Sequence, residues 1–220
     1  MNHYSNSLVP NLRLHYIDGC PGARAVRLAL RYFKYECEEI KLDFSKGEHK
    51  TQALLSMNPM HTVPVLELVE ESESVSSLWE SRMILKYLNK KDTFELDQWL
   101  FWDLGFLSPN VGKLIYPRLF RNEEPNKNDI PNVVEKFEYL NTSLENKNYL
   151  VNNTFSIADM SSFTIIQNSQ YSKDLVDADN YPNIVRWMNN VQSNFSEEDW
   201  NDVMSSFLES QINVRNKYLN

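Results

Sequence analysis

The chain has 220 residues, of which 42% are hydrophobic and 24% are charged, a composition typical of globular proteins rather than disordered ones. At about 150 residues per domain this length fits one large domain or two small ones, and we favour two. The 22 basic and 30 acidic residues give a net charge of -8, which repels phosphate backbones and anionic membranes, so we expect no nucleic-acid partner.

Residues 1–11 form a polar N-terminal extension without the layout of a signal peptide, and no apolar run reaches the roughly 20 residues that span a bilayer. We therefore expect a cytoplasmic protein without a membrane segment. The two cysteines, Cys20 and Cys37, are too few for a disulfide framework or a structural zinc site. They are predicted to be free thiols, and we expect no metal site at the histidines.

The first part of the chain predicts a strand, a helix and a second strand. Apolar and polar residues alternate over 12–17, a turn-rich segment follows at 18–22, and helical spacing covers 23–35. Alternation resumes over 38–44, so these elements form a βαβ unit whose strands pair in parallel.

A hairpin and two more helices complete the predicted first domain. We expect a short helix over 51–56, a strand over 63–68, and an acidic and serine-rich loop or extended hairpin tip over 70–77. The strand resumes at 78–79, and a helix follows over 81–88. The sum is an α/β domain over residues 12–89 with a four-stranded sheet.

A polar linker over 90–94 precedes a second domain, predicted to be all α-helical over 95–220. Helical spacing replaces alternation there, beginning with an aromatic helix over 96–116. A later helix begins near Ser156, where Ser156 and Asp159 have the spacing of a capping box.

Cys20 lies in the turn between the first strand and the first helix. The free amides and the dipole of a helix start stabilise a thiolate, which is the reactive form of cysteine. A buried, inert cysteine that fills space is the competing interpretation. The local pattern leaves both open.

Thr62, Val63 and Pro64 begin a strand. A cis bond before this proline would turn the backbone of Val63 toward a ligand. The amide and carbonyl of Val63 could then pair with the backbone of a peptide ligand. An ordinary trans proline at a strand edge is the alternative.

Glu80, Ser81 and Arg82 stand between a strand and a helix. The amides at such a helix start bind anions, so a carboxylate ligand would fit there, although simple capping by Ser81 explains the same residues. His49 and His61 could donate to a carboxylate of the same ligand.

Most aromatic residues of the second domain have the spacing of a helix core. Tyr116 and Phe120 lie one turn apart beside a proline, and helices that face another domain often supply the apolar wall of a cleft. We take these two residues, with Phe207, as candidates for a hydrophobic substrate pocket.

Five segments together resemble those of a cytosolic glutathione transferase, most closely the insect delta and epsilon classes. They are Gly19-Cys20-Pro21, Lys46-Gly47-Glu48-His49, Asn58-Pro59-Met60-His61-Thr62-Val63-Pro64, Trp79-Glu80-Ser81-Arg82 and Ser156-Ile157-Ala158-Asp159. The resemblance runs from about residue 12 to residue 200. It implies a thioredoxin-like βαβ-ββα N-terminal domain, an all-helical C-terminal domain, and a homodimer with Arg82 close to the interface.

The resemblance also implies a glutathione site. Its residues would be His49, His61, Thr62, Val63, Pro64, Glu80, Ser81 and Arg82. Val63, before a cis proline, would pair with the cysteinyl backbone, Glu80 and Ser81 would hold the γ-glutamyl end, and the histidines would lie near the glycyl carboxylate. The capping box would be a folding element rather than a site.

Cys20 departs from the family, because it occupies the position of the serine whose hydroxyl activates glutathione in the delta class. A cysteine donates a hydrogen bond poorly, but it can form a mixed disulfide with glutathione, as in the omega class and glutaredoxins. The hairpin over 67–78 is also longer than is usual in the family.

Three functions follow from these observations. The first is conjugation of glutathione to electrophilic apolar substrates, as in detoxification. The second is glutathione-dependent thiol transfer with Cys20 as the nucleophile. The third is ligand binding without turnover.

Overall fold

Residues 11–89 form a four-stranded sheet with α-helices. The computed structural model describes residues 11–69, 75–121, 123–169 and 179–219. The elements of the first domain are β1 (Asn11–Tyr16), α1 (Pro21–Tyr32), β2 (Cys37–Lys41), α2 (Gln52–Met57), β3 (Val65–Val69), β4 (Val75–Trp79) and α3 (Ser81–Asn89). This is the predicted thioredoxin-like arrangement.

The strand order is β2-β1-β3-β4. β1 and β2 are parallel, as the predicted βαβ unit requires, and the other two pairs are antiparallel. Alternate residues of β1, namely Leu12, Leu14 and Tyr16, are buried in the same apolar cluster as α1 and α3. That cluster continues into the second domain, so the two domains share one core.

β4 begins at Val75, inside the segment 70–77 that was predicted to be a loop or an extended hairpin tip before a strand at 78–79. Pairing with β3 extends the strand through its serines, because the partner strand outweighs their weak β preference. The hydroxyl of Ser77 also donates to the carbonyl of Met57, at 2.9 Å. Residues 70–74 lie outside the described residues.

The second domain is helical in its described part, as predicted. Its elements are α4 (Phe94–Trp102), a π-helical segment (Asp103–Leu107), α5 (Ser108–Tyr116), a second π-helical segment (Pro117–Arg121), α6 (Ile130–Ser143), α7 (Ile157–Ser169), α8 (Pro182–Gln192) and α9 (Glu197–Leu219). Short 3-10 turns occur at Glu48–Lys50 and Lys127–Asp129.

The predicted aromatic helix over 96–116 is longer in the structure and contains two π-helical segments. It starts at Phe94, inside the predicted linker, because the hydroxyl of Thr93 accepts from the amide of Leu96 at 3.2 Å and caps it. Pro109 lacks the amide that would bond back into the preceding turn, and a π-helical segment occupies that turn.

The capping box begins α7, as predicted, with one difference. Asp159 Oδ2 accepts from the amide of Ser156 at 2.9 Å and also from its hydroxyl at 2.8 Å, so this hydroxyl donates rather than capping an amide. Oδ1 accepts from Trp187 Nε1 and from the amide of Leu150, at 2.8 and 2.9 Å. Burial raises the pKa of Asp159 to about 6, against these hydrogen bonds.

Candidate active site

Cys20 stands between the end of β1 and the start of α1. Its amide donates to the carbonyl of Ile17 at 3.2 Å, which closes the turn. Its Sγ donates to the carbonyl oxygen of Val63 at 3.4 Å. The thiol therefore faces the loop that carries several of the other predicted site residues.

Two opposed influences act on the Cys20 thiol. Burial against the core raises its pKa and is the larger influence, although part of the residue remains exposed. The amides of Ala23 and Gly22 and the charges of Arg24 and Arg82 lower the pKa. The net increase keeps the thiol protonated at neutral pH, which suits a hydrogen-bond donor better than a nucleophile.

The peptide bond between Val63 and Pro64 is cis. Asn58 is buried and orders the loop before this bond, since its Nδ2 donates to the carbonyl oxygen and the hydroxyl of Thr62, both at 3.0 Å. Its Oδ1 accepts from the amide of Met60 at 3.0 Å. The sequence analysis gave Asn58 no role of its own, although Asn58 is the first residue of the segment 58–64 that resembles the family.

Glu80 and Ser81 form the turn from β4 into α3. The φ angle of Glu80 is 66°, a conformation that is unfavourable for a residue with a side chain and that often marks a functional turn. Ser81 is buried and is the first residue of α3. The free amides of this helix start favour an anionic ligand.

Arg82 links the two domains. Its Nη2 and Nε lie 2.9 and 3.2 Å from Oδ2 of Asp103, which is fully buried and also accepts from the hydroxyl of Ser161. Burial raises the pKa of Asp103, and the charge of Arg82 opposes this shift. The sequence placed Arg82 at the site but missed this ion pair, for which an aspartate among the aromatic residues of the predicted helix was the signal.

His49 and His61 differ in their surroundings. His49 is buried and stacks on Phe44, with ring centroids 3.9 Å apart. Burial lowers the pKa of His49, and the charges of Lys50 and His61 lower it further. His61 is exposed and has a φ angle of 46°. His49 is therefore a neutral side chain at neutral pH and sits within electrostatic reach of His61.

Arg24 fastens the turn before Cys20 to the helical domain. Its guanidinium donates to the carbonyl of Asp18 at 3.1 Å and to Oδ1 of Asn168 at 2.6 Å. It also lies 3.4 Å from the ring centroid of Phe207. The structure thus places Phe207 in the core beneath Arg24, whereas the sequence had suggested the wall of a pocket.

Tyr116 is partly exposed and lines a cleft of about 440 Å³ beside α5. Gly112 makes room for its ring, since a Cβ there would lie 2.8 Å from a ring carbon. Burial raises the pKa of Tyr116, and a thiolate at Cys20 would add to the shift. The rest of the cleft is mainly polar, with Lys113, Arg121 and Glu123 among its lining residues. Phe120 belongs to the second π-helical segment, but its side chain lies outside the described residues.

Cys20 and Cys37 are free thiols. In the ranges that the structure covers, no cluster of three or more His, Cys, Asp or Glu side chains is arranged to hold a metal ion. Among the same residues, every helix is too short or too polar to cross a bilayer.

A thioredoxin-like domain with a thiol facing a cis-proline loop, fused to a helical domain, defines a two-domain class of thiol-handling proteins. Two family models identify the class further. The Glutathione S-transferase, N-terminal domain model matches residues 10–90, and the Glutathione S-transferase, C-terminal domain model matches residues 107–194. The chain therefore belongs to the glutathione S-transferase family.

Individual relatives agree with this assignment. Glutathione S-transferase D6 of Drosophila melanogaster is 26% identical over 194 residues, which cover 81% of this chain and 86% of that protein. An epsilon-class glutathione S-transferase from the housefly, Musca domestica, is 25% identical with a TM-score of 0.81, covering 94% of this chain and 99% of the other. Ure2p in complex with glutathione shares the fold, at 18% identity and a TM-score of 0.72, covering 86% of this chain and 91% of the other.

Proposed function

We propose that the chain binds glutathione between α1 and the cis-proline loop and conjugates its thiolate to an electrophilic apolar substrate. The observation that carries this proposal is the contact of 3.4 Å between Cys20 Sγ and the carbonyl of Val63. It puts a hydrogen-bond donor at the start of a helix, beside a backbone that can pair with a peptide. A glutathione sulfur placed there would meet a donor and the positive end of α1.

Each end of glutathione has matching residues. The amide and carbonyl of Val63 pair with its cysteinyl backbone. Glu80 and the start of α3 at Ser81 hold the γ-glutamyl end, whose carboxylate suits free helix amides. His49 and His61 lie on the loop and turn that would face the glycyl carboxylate.

Thr62, Pro64 and Arg82 support this site indirectly. Asn58 fixes Thr62 through two hydrogen bonds, which orders the backbone just before Val63 and Pro64. Arg82 is bound to the buried Asp103, so it anchors the start of α3 to the helical domain.

In the reaction, the glutathione thiol loses its proton to solvent, and the Cys20 S–H turns from the Val63 carbonyl to the glutathione sulfur, where it stabilises the thiolate. The thiolate then attacks the electrophilic carbon, a carbon–sulfur bond forms, and the leaving group departs with its electron pair. Because a thiol is a weaker donor than the family's serine hydroxyl, we expect a modest rate for this step.

The apolar substrate would lie beside Tyr116 and Phe120. The support for this position is the partly exposed aromatic ring of Tyr116. The cleft that Tyr116 lines is otherwise mainly polar and charged, so it does not itself supply an apolar wall. Phe207 is a less direct contact, because a substrate would touch its ring only after Arg24 moved.

Thiol transfer is the second candidate, and the helix start favours it. The amides of Ala23 and Gly22 and the charge of Arg24 all lower the pKa of Cys20. In that reaction the Cys20 thiolate attacks a glutathione mixed disulfide, takes the glutathione sulfur and releases the other thiol. A second glutathione thiolate then frees Cys20 and leaves as oxidised glutathione. Burial, which keeps Cys20 protonated, ranks this reaction second.

We also propose a homodimer in the cytosol. Met83, Phe101 and Leu104 are exposed and flank Arg82 and Asp103 in the sequence, which gives a second copy an apolar surface to cover. Two free cysteines fit a reducing compartment.

The test compares the wild type with Cys20→Ser and Cys37→Ser on a chlorinated nitroaromatic and on a glutathione mixed disulfide. We expect conjugation to persist in Cys20→Ser and to rise by about fivefold, because a hydroxyl donates better. Cys37→Ser should match the wild type.

Disulfide turnover that disappears in Cys20→Ser, with little conjugation in the wild type, would instead establish thiol transfer. Glutathione binding without turnover of either substrate would contradict both reactions and leave a binding protein.

A further inference from the structure

Gly22 lies where the start of α1 meets the start of α3. A Cβ at Gly22 would come within 2.7 Å of Oγ and 2.8 Å of Cβ of Ser81, and within 3.6 Å of Cδ of Pro64. A contact below 3.0 Å forces something to move. Because the Cβ of Ser81 is bonded to the backbone, a side-chain rotation cannot relieve this contact.

Backbone conformation does not explain a glycine at this position. Gly22 is the second residue of α1, where an ordinary helical backbone is present and alanine is preferred over glycine. Its φ angle is outside the left-handed range, since among the glycines only Gly47 has a positive φ. The missing side chain is therefore explained by the close approach of Ser81.

The position of Gly22 joins the separate parts of the site. Two residues before it, the Cys20 thiol contacts the carbonyl of Val63. Gly22 itself faces Ser81 and the ring of Pro64. Only the approach of Ser81 is too close for a side chain, because 3.6 Å from Pro64 is an ordinary van der Waals distance. The missing side chain thus sets the spacing between the starts of α1 and α3.

We infer that Gly22 is a positioning residue for the γ-glutamyl end of glutathione, because it lets Ser81 approach the start of α1. The inference rests on the proposed glutathione site. A side chain at residue 22 displaces Ser81 while leaving the contact between Cys20 and Val63 largely in place. The loss of binding should then be confined to ligands that carry a γ-glutamyl group.

The experiment measures kcat/KM with glutathione and with cysteinylglycine, which lacks the γ-glutamyl group, as alternative thiol substrates. In Gly22→Ala the ratio of the two values should fall about tenfold, through KM for glutathione rather than kcat. Gly105→Ala is the matched control, because it is also a helical glycine but has no atom within 4 Å of its Cβ position. Its ratio should stay within about twofold of the wild type.

Equal losses with both thiols in Gly22→Ala would overturn the inference, since they would mean general damage. An unchanged ratio would overturn it as well. A wild type that fails to use glutathione at all would contradict the proposed function instead, so the two failures are distinct.

If Gly22→Ala folds too poorly for kinetics, its melting temperature tests the contact with Ser81 instead. Ser81→Gly removes both atoms that lie within 3.0 Å, so in that background Gly22→Ala should lower the melting temperature much less than it does in the wild type. Equal decreases in both backgrounds would overturn the inference.

Discussion

Cys20 and Cys37 lie at opposite ends of the parallel strand pair. Cys20 follows β1 and precedes α1, whereas Cys37 opens β2 opposite Leu12, near the beginning of β1. Helix α1 runs between them, so Cys20 lies at its amino end and Cys37 beyond its carboxyl end. Of these two half-buried thiols, only Cys20 adjoins a helix terminus, since Cys37 lies in β2, five residues after α1 ends.

The neighbours of the two thiols follow this difference. Burial raises both pKa values, but the amides at the start of α1 and two arginines oppose the shift at Cys20. At Cys37 the charges of Glu39 and Glu38 reinforce burial, and they outweigh the backbone of Leu14 and the charge of Arg31, so the pKa rises to about 12. The position of a cysteine in the fold, rather than its residue type, thus decides which thiol can take part in chemistry.

The largest expected effect is on stability, and it comes from replacing the carboxylate that pairs with Arg82. The carboxylate that pairs with Arg31 serves as the comparison. Asp103→Asn removes the buried countercharge of Arg82, so we expect the free energy of unfolding to fall by about 3 kcal/mol. Asp202→Asn weakens the ion pair with Arg31 but is 46% exposed, so we expect a loss of about 0–1 kcal/mol. Urea unfolding measures both free energies. Equal losses for Asp103→Asn and Asp202→Asn would contradict the claim that the buried ion pair contributes more than the exposed one.

Alkylation distinguishes the two thiols in solution. Since both pKa values are raised, each thiolate fraction is small at pH 7 and increases with pH. Iodoacetamide should therefore modify both cysteines more slowly than a free cysteine at pH 7, and the reaction of Cys37 should be slower by at least about tenfold. Glutathione should slow the reaction of Cys20 further and leave that of Cys37 unchanged, as peptide mass spectrometry can show. Fast modification of Cys20 at pH 7 would favour the thiol-transfer reaction.

Cys37→Ala should have the smallest effect. The side chain packs against the core, so its loss should lower the free energy of unfolding by about 1 kcal/mol. Glutathione affinity, measured by calorimetry, should remain within about twofold of the wild type, because the cysteine lies at the opposite end of the sheet. A larger change in affinity would mean that the two ends are coupled.

Much of the fold was accessible from the sequence because its signals are local. Alternation predicted β1 and β2, helical spacing predicted α1, and Ser156 with Asp159 predicted the start of α7. Local polarity was misleading at the beginning of β4, where pairing with β3 overrides it. The polarity of residues 90–94 likewise predicted a linker, but α4 already begins at Phe94, where Thr93 caps the helix.

The residues of the candidate site could be named from short motifs, but their connections across the fold could not. Arg82 and Asp103 are 21 residues apart and pair only because α3 packs against the helical domain. Phe207 was expected in a pocket, and only the fold shows that Arg24 covers it. The closeness of Gly22 and Ser81 is likewise set by the packing of two helices.

The most direct test of the account is the ionisation of bound glutathione, followed by thiolate absorbance as a function of pH. The account predicts a pKa for the bound thiol at least about one unit below the roughly 8.5 of an ordinary thiol. Cys20→Ala should bring that pKa back toward the free value, and Cys37→Ala should not. Identical titration curves for bound and free glutathione would contradict the claim that the Cys20 end of α1 activates the thiol.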